Sequence, residues 1–322
     1  MSRLFTILML GGSKRVSMGE QLIRAGRELD LDVQIFSHEL DRRQPIASIG
    51  KVIVGKRYDD EGAIPEINDL IKSIQADVIL PFIDPAIKIA GLCKQKYPHL
   101  FAPLSPIEVS EKMFDKVEAA KEFERCGLPI PETYSIENLK YPAIFKPRRG
   151  SASKGIKVVE NEDELKAAKI SNPEDYLIQK YIAKREEFTL DCYIGEHDGE
   201  IKCVVPRQRI ETAGGEVVRT ITCRIPQLIS LGHKTIEALG LRGAVTLQFI
   251  HDKETGEFLL MEINPRLGGG VICSICAGAD IAKMILLDAL NEPVPKANVW
   301  RDGALMTRYF KEVMFFNDGK NR

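Results

Sequence analysis

Along the first hundred residues, unbroken apolar runs alternate with stretches whose apolar positions recur every three or four residues. The runs "LFTILML" (4–10), "DVQIF" (32–36), "KVIV" (51–54) and "ADVILPF" (76–82) are of the first kind. Their continuous, β-branched character predicts strands buried on both faces. The stretches "SMGEQLIRAGRELD" (17–30), "AIPEINDLIKSIQ" (63–75) and "PAIKIAGLCKQKY" (85–97) predict amphipathic helices between them. Strand and helix in turn give a parallel sheet covered on both faces, a Rossmann-like α/β unit. The first strand runs into "GGSKR" rather than G-x-G-x-x-G. The dinucleotide fingerprint is therefore missing, and a tight strand-to-helix turn is the simpler reading.

The Pro-punctuated "FAPLSPIEVS" marks a boundary near residue 106. One helix is predicted over "PIEVSEKMFDKVEAAKEFERCG" (106–127), stopped by Gly127, Pro129 and Pro131. Short elements follow: "YPAIFKP", a Gly/Ser/Lys loop, "IKVVE", a helix opening at Asn161, "YLIQKYI" and "FTLDCYI". They are the size of a small α+β subdomain. Further strands are predicted near "IKCVVP", "EVVRTITC", "AVTLQFIHD" and "EFLLMEI", with helices near 226–239 and 279–290. "HDKETGEF" places polar residues and a glycine between two apolar runs, a hairpin signal.

Composition narrows the class. The 322 residues are 44% hydrophobic and carry 45 basic against 46 acidic side chains. Such a length suggests two or three domains, and the balanced charge argues against a nucleic-acid or polyanion binder. No apolar run approaches the ~18 residues that cross a bilayer, so no membrane role is expected. Seven cysteines without a regular framework suit free thiols in a reducing compartment, and the cytoplasm is the expected location. Cys273 and Cys276 form a C-x-x-C in the apolar "VICSICAGA" and are read as two small core residues. The five histidines show no ligand or triad spacing.

Three stretches can carry chemistry. In "AVTLQFIHDKETGEFLLMEINPRLGGG", Glu262 and Asn264 are two apart on one strand and share a face, with Gln248 on the partner strand. One carboxylate with amide oxygens suits Mg²⁺ bearing phosphate oxygens. Arg266 follows on the same face if the strand continues past Pro265, where it could clamp an anion. In "AIFKPRRGSASKGIKVV", Lys146 ends an apolar strand beside a loop of Gly150, Ser151, Ser153, Lys154 and Gly155, which could cradle phosphate. It is not a Walker A loop, because Ile156 stands where Lys and Ser/Thr would follow. In "YLIQKYIAKREEFTLD", an extended backbone could pair with a base edge, although "KREE" alone reads as a solvated charge cluster.

Taken in order, Lys116 in "FDK", Lys146 in "FKP", the glycine-rich loop, "QKYI…EEFT", Gln248 and "MEINPR" resemble the ATP-grasp superfamily. "MEINPRLGGG" and "PRQRIET" look most like carbamoyl-phosphate-synthase-large-subunit-like proteins and single-chain amino-acid ligases. The resemblance implies an α/β and α+β chain: a Rossmann-like pre-ATP-grasp domain over 1–106, then an ATP-grasp fold over 107–315 with a small lid subdomain at about 133–181.

It also implies roles. Lys116 and Lys146 would contact ATP phosphates, and the loop from Gly150 to Gly155, with Ser151 and Ser153, would close over them. Gln179 and Lys180 to Ile182, Tyr181 included, would edge the adenine, with Met261 on its face. Glu187 would hold the ribose. Gln248, Glu262 and Asn264 would coordinate one or two Mg²⁺ ions, with Mn²⁺ as a substitute, and Arg266 would stabilise an acyl phosphate. Many relatives carry Glu where Gln179 stands and an acid where Gln248 stands, which leaves this metal site less negative. Of the arginines at 207, 209, 219 and 224, Arg207 and Arg224 are favoured as a basic pocket for the acceptor carboxylate.

The expected activity is that of an ADP-forming carboxylate–amine ligase on small metabolites such as amino acids, with room for a homodimer. A carbamoyl-phosphate-synthase-like subunit acting on bicarbonate or carbamate, and a non-catalytic nucleotide-binding regulator, are the alternatives.

Overall fold

A computed structural model describes residues 2–150, 154–170 and 172–316. The chain divides into two units, residues 1–104 with 280–295 and 308–322, and residues 105–279 with 296–307.

The first unit is built from β1 (Arg3–Leu10), α1 (Val16–Glu28), β2 (Leu31–Glu39), β3 (Lys51–Val54), α2 (Ala63–Ile74), β4 (Val78–Pro81) and α3 (Asp84–Lys96). The sheet order is β3-β2-β1-β4, and every pairing is parallel. Six consecutive residues of β1, Phe5 to Leu10, are buried, as a central strand covered on both faces requires.

The second unit opens with α4 (Ile107–Met113) and α5 (Lys116–Arg125). The single helix expected over 106–127 is therefore two. The break lies at Asp115, whose carboxylate accepts from the backbone N–H groups of Val117 and Glu118 and starts a new helix. The same carboxylate accepts from Arg148 Nε at 2.5 Å.

A small sheet follows, of β5 (Thr133–Tyr134), β6 (Ala143–Pro147) and β7 (Lys157–Val159), then α6 (Glu162–Ala167) and β8 (Tyr176–Lys180), in the order β5-β8-β6-β7. Asn161 caps α6 as expected, accepting from Glu164 N–H.

The large sheet has six strands. It contains β9 (Arg185–Ile194), β10 (Ile201–Ala213), β11 (Glu216–Thr222), then after α7 (Pro226–Leu239) the hairpin β12 (Gly243–Asp252) and β13 (Phe258–Asn264). Helices α8 (Val271–Cys276) and α9 (Ile281–Ala289) precede the short β14 (Leu305–Thr307), and the order is β13-β12-β9-β10-β11-β14. Strand β9 takes in "REE", and β10 takes in "RQRIETA", both longer than the apolar runs suggested. Helix α9 belongs to the first unit, where Asp280 receives both hydrogen bonds of Arg24 Nη2 at 2.7 and 2.8 Å.

Pleating sorts the large sheet into two faces. Phe188, Leu190 and Cys192 of β9, Leu247 and Phe249 of β12 and Ile263 of β13 share one core with Ala119 and Phe123 of α5 and Leu228 and Ile236 of α7. The small sheet does likewise, putting Tyr134, Ala143, Phe145, Val159 and Ile178 into its own core. Cys273 is buried, but Cys276 is exposed, so the C-x-x-C is not a pair of core residues. Its position on α8 sends the two thiols, three residues apart, to different environments. No helix among the described residues is long and apolar enough to cross a membrane.

The Asp115 carboxyl sits below the usual carboxylate range. Burial opposes its ionisation, but Arg148 and the two N–H groups outweigh it. A depressed carboxyl adds stability above its unfolded pKa of ~4 and loses it as pH falls through the lower folded value. Asp115→Ala is expected to cost about 1–2 kcal/mol at neutral pH, read from urea midpoints. The gap from the parent should narrow as pH drops below ~4.

Candidate active site

The second faces of the two sheets carry the polar residues. Directly opposed residues of neighbouring strands project to the same side. In the large sheet Gln248 lies opposite both Thr189 and Glu262, and Thr246 lies opposite Asp191 and Asn264. Arg207 lies opposite Thr189 on one side and Thr222 on the other, and Arg209 opposite Thr220. In the small sheet Ile144 lies opposite Val158 and Gln179, and Lys146 opposite Leu177.

A cavity of about 340 Å³ within the second unit is lined from both sheets. Ile144, Ile156 and Val158 line it from the small sheet and its loop, and Ile250 and Met261 from the large one. Ile156 and Val158 are exposed despite their size. Polar groups share the walls. Lys116, Lys146, Arg149, Lys154 and Lys180 line the cavity, and so do Arg185 and Arg209. Against these seven cations stand two carboxylates, Glu187 and Glu262. In a chain of net charge −1, such a concentration marks the cavity for an anion.

Lys146 is the most constrained of these cations. It is 6% exposed, and its Nζ donates to Gln179 Oε1 at 2.9 Å. Gln179, 2% exposed, donates in turn from Nε2 to the carbonyl of Pro131. The donor Lys146 and the acceptor Pro131 fix which way the amide points. Burial pushes the Lys146 ammonium down to about 8, while the charge of Glu262 works in the opposite direction. Lys116 stands at the first residue of α5, where its N–H donates to Arg148 O and its Nζ to Gly150 O at 2.7 Å.

Asn264 Nδ2 donates to Glu262 Oε1 at 2.9 Å, and Arg266 Nη2 donates to Asn264 Oδ1 at 3.2 Å. The strand ends at Asn264 instead of continuing past Pro265, so Arg266 reaches back to this group from the following turn. Two of the three glycines that follow are explained by packing. A Cβ on Gly270 would lie 2.6 Å from Arg207 Nη1, and one on Gly268 2.9 Å from Thr246 Oγ1.

The cavity thus brings together Lys116, Lys146, Gly150, Lys180, Tyr181 and Ile182 with Glu187, Gln248, Met261 and Glu262. Gln179, Asn264 and Arg266 stand behind that wall, hydrogen-bonded to one another or to residues that line it. Gly155 adopts a left-handed backbone (φ 74°) between two lining residues. Ser151 and Ser153 lie outside the described residues.

The N–H groups of Lys180 and Tyr181 donate to the carbonyls of Glu132 and Pro142. Glu187 accepts from Arg185 Nε at 3.3 Å, and its other oxygen lies 3.5 Å from Arg209 Nε without a hydrogen bond.

Arg207 and Arg224 are not in the cavity. Arg207 is 1% exposed and holds Asp191 through Nε and Nη2 at 2.6 and 3.0 Å, while Ser274 donates to the same carboxylate. Arg224 lies 4.0 Å over the Trp300 ring and donates to its carbonyl. Of the cations that line the cavity, Arg149 and Arg185 were not expected from the sequence, and Arg209 was set behind Arg207 and Arg224. For Arg209 the available signal was its two-residue spacing from Arg207 on a strand that continues through "RQR".

The oxygen set of Gln248, Glu262 and Asn264 fits a hard cation that brings further ligands with it. Among the described residues no three His, Cys, Asp or Glu gather as a metal site. The fit is therefore to an ion carried by phosphate oxygens, not to a protein cage.

Residues 172–312 match the family described as ATP-grasp in the biosynthetic pathway with Ter operon. The fold superposes on biotin carboxylase from Campylobacter jejuni with a TM-score of 0.74 at 19% identity, covering 93% of this chain and 74% of that one. The matched stretch is similar to that ATP-grasp family. A second solved structure, N5-carboxyaminoimidazole synthetase from Staphylococcus aureus complexed with ADP, gives a TM-score of 0.73 at 20% identity, over 92% of this chain and 80% of that one. In sequence, the 2-oxoglutarate carboxylase small subunit of Hydrogenobacter thermophilus is 26% identical over 84% of this chain. The carbamoyl phosphate synthase large chain of Methanobrevibacter smithii is 26% identical over 70% of it. The chain spans 64% of the first of these relatives and 24% of the second.

The buried pair makes a distinction testable. Arg207→Ala leaves Asp191 charged and unpaired, and is expected to cost about 3–5 kcal/mol in denaturant unfolding. Combining Arg207→Met with Asp191→Leu should recover most of that loss. A stable Arg207→Ala protein would remove this bracing role.

Proposed function

We propose that the cavity binds Mg²⁺ with ATP, and that the chain is an ADP-forming ligase that activates a carboxylate by phosphoryl transfer. The observation that carries this reading is Lys146, a buried ammonium whose hydrogen-bond partner is a neutral amide, in a cavity with seven cations and two carboxylates. A desolvated cation of this kind is stabilised when an anion arrives. The exposed Ile156 and Val158 opposite Met261 offer an apolar slot for a flat base.

Lys116 and Lys146 would screen the phosphates from the α5 side and the small-sheet side. Gln248, Glu262 and Asn264 would hold Mg²⁺, which when bound neutralises charge on the phosphoryl oxygens. Arg266, bonded to Asn264, would meet the charge that develops as a carboxylate oxygen takes the phosphoryl group. An amine attacking the resulting acyl phosphate would give the amide and release phosphate.

Bicarbonate is a second candidate acceptor. The carboxylase and carbamoyl phosphate synthase relatives favour it, and one solved relative, the biotin carboxylase domain dimer of 2-oxoglutarate carboxylase, is described with MgADP and bicarbonate. The described likeness to a dimer is also what supports a homodimer here.

The direct test is ADP release screened over paired amino acids and carboxylates, with bicarbonate as one arm. No ADP release with any acceptor, in a folded protein that binds Mg·ATP, would favour a regulator instead. Lys146→Ala is expected to weaken Mg·ATP binding at least tenfold by calorimetry, in line with loss of a charge-assisted contact of ~1.5–3 kcal/mol. An unchanged affinity removes Lys146 from the site. Arg266→Ala should leave ATP affinity near that of the parent and lower kcat by ~10²–10³, the range for one preorganised stabiliser. Loss of ATP affinity with kcat preserved would assign Arg266 to the nucleotide instead.

A further inference from the structure

The polar face of the large sheet holds two orphaned polar atoms, and both lie near the same place. Among the described residues, Arg209 Nε is buried and has no hydrogen-bond partner. Thr189 Oγ1, on a residue 3% exposed, has none either. Thr189 lies directly opposite Arg207 on β10 and Gln248 on β12. Arg209, two residues beyond Arg207, is its diagonal neighbour on that face. A buried donor left unpaired is destabilising. Two such groups on one face point to a missing acceptor.

The contacts Arg209 does make hold it without satisfying it. Nη2 donates to the carbonyl of Gly215 at 3.1 Å, at the turn between β10 and β11. Its carboxylate neighbour Glu187 stands at 3.5 Å from Nε and is shared with Arg185. Glu262 is its other electrostatic partner, and Arg207 repels it from behind. The guanidinium is thus steered toward the cavity it lines, on the side of Gln248 and Glu262.

We infer that Arg209, with the Thr189 hydroxyl beside it and Glu187 holding it in place, contacts the terminal phosphoryl group of the bound nucleotide. This rests on the nucleotide-binding reading above. Strands β12, β9 and β10 are consecutive neighbours, and Arg209 stands two residues along from the position directly across β9 from Gln248, so their backbones are ~12 Å apart. A phosphoryl group held by an ion on Gln248 and Glu262 would lie over β9, above Thr189. A guanidinium reaches that point from β10 and presents planar donors to a phosphate. Arg209 is then a substrate-contacting residue, and Glu187 a positioning residue that acts through it.

Calorimetry with two probes, β,γ-methylene-ATP and ADP, each with Mg²⁺, separates this role from a brace for the β10–β11 turn. Arg209→Ala is expected to weaken the triphosphate analogue about 10–100-fold while leaving ADP within about twofold, as for loss of a charge-assisted contact to one phosphoryl group. Arg209→Lys should fall between the parent and Ala, because an ammonium keeps the charge without the fork. Thr189→Val, which keeps the shape and removes the hydroxyl, should lower the triphosphate affinity a few-fold with ADP again unaffected. Equal losses of both nucleotides, or no loss of either, overturn the inference. If Arg209→Ala does not fold, the Lys and Val variants decide by the same split. A parent protein that binds neither probe overturns the nucleotide reading itself.

Discussion

A lysine ammonium withdrawn from water and bonded to an amide oxygen is the constraint on which the second unit is organised. The charge of Lys146 is costly to bury and has no carboxylate in hydrogen-bonding contact. Its position follows from the pleat: Phe145 points into the core of the small sheet, and its neighbour must point the other way. The same rule on the large sheet sets Leu247 and Phe249 into the core and turns Gln248 outward between them. Two sheets that each spend one face on a core leave two faces for chemistry, and the cavity lies where those faces meet.

Two kinds of arginine share the large sheet's polar face. Arg207 is held at all three nitrogens, Nε and Nη2 by Asp191 and Nη1 by Thr220, with Gly270 packed close against it. Arg209, one pleat further along, is underused and opens on the cavity. The difference lies in their neighbours, since both are arginines on one strand at equivalent pleat positions.

That contrast explains how much of the site was legible in the sequence. The spacing of Glu262 and Asn264, with Gln248 across the hairpin, could be read because hairpin pairing is local and the alternation is strict. Lys146 could be read from the apolar run it ends. The partition of Arg207 from Arg209 could not, because Asp191 lies 16 residues away on another strand and only the folded register brings it under Arg207. Charged strand ends such as "REE" look like solvated clusters until the register places Glu187 beside Arg209. In the fold, apolar periodicity located the strands and helices of the first unit. It ran through Asp115 without stopping, since a cap interrupts a helix without disturbing its amphipathic stripe. Helix α9 is equally silent, because nothing local says that it returns to α1 through Asp280 and Arg24.

The stitching around Asp115 has a mechanical consequence. Its carboxylate binds Arg148, the N–H of Lys116 binds the carbonyl of the same Arg148, and Lys116 Nζ binds the carbonyl of Gly150. Three bonds thus rivet the end of β6 to the start of α5. If the small sheet swings, this corner behaves as a pivot, not a free edge, and the separation of Lys116 and Lys146 changes little. The travel has to be absorbed by chain on the far side of the sheet, in the proline-stiffened stretch before β5 and the turn between β8 and β9. A rigid cationic jaw of this kind would arrive at its anion with both charges already in position.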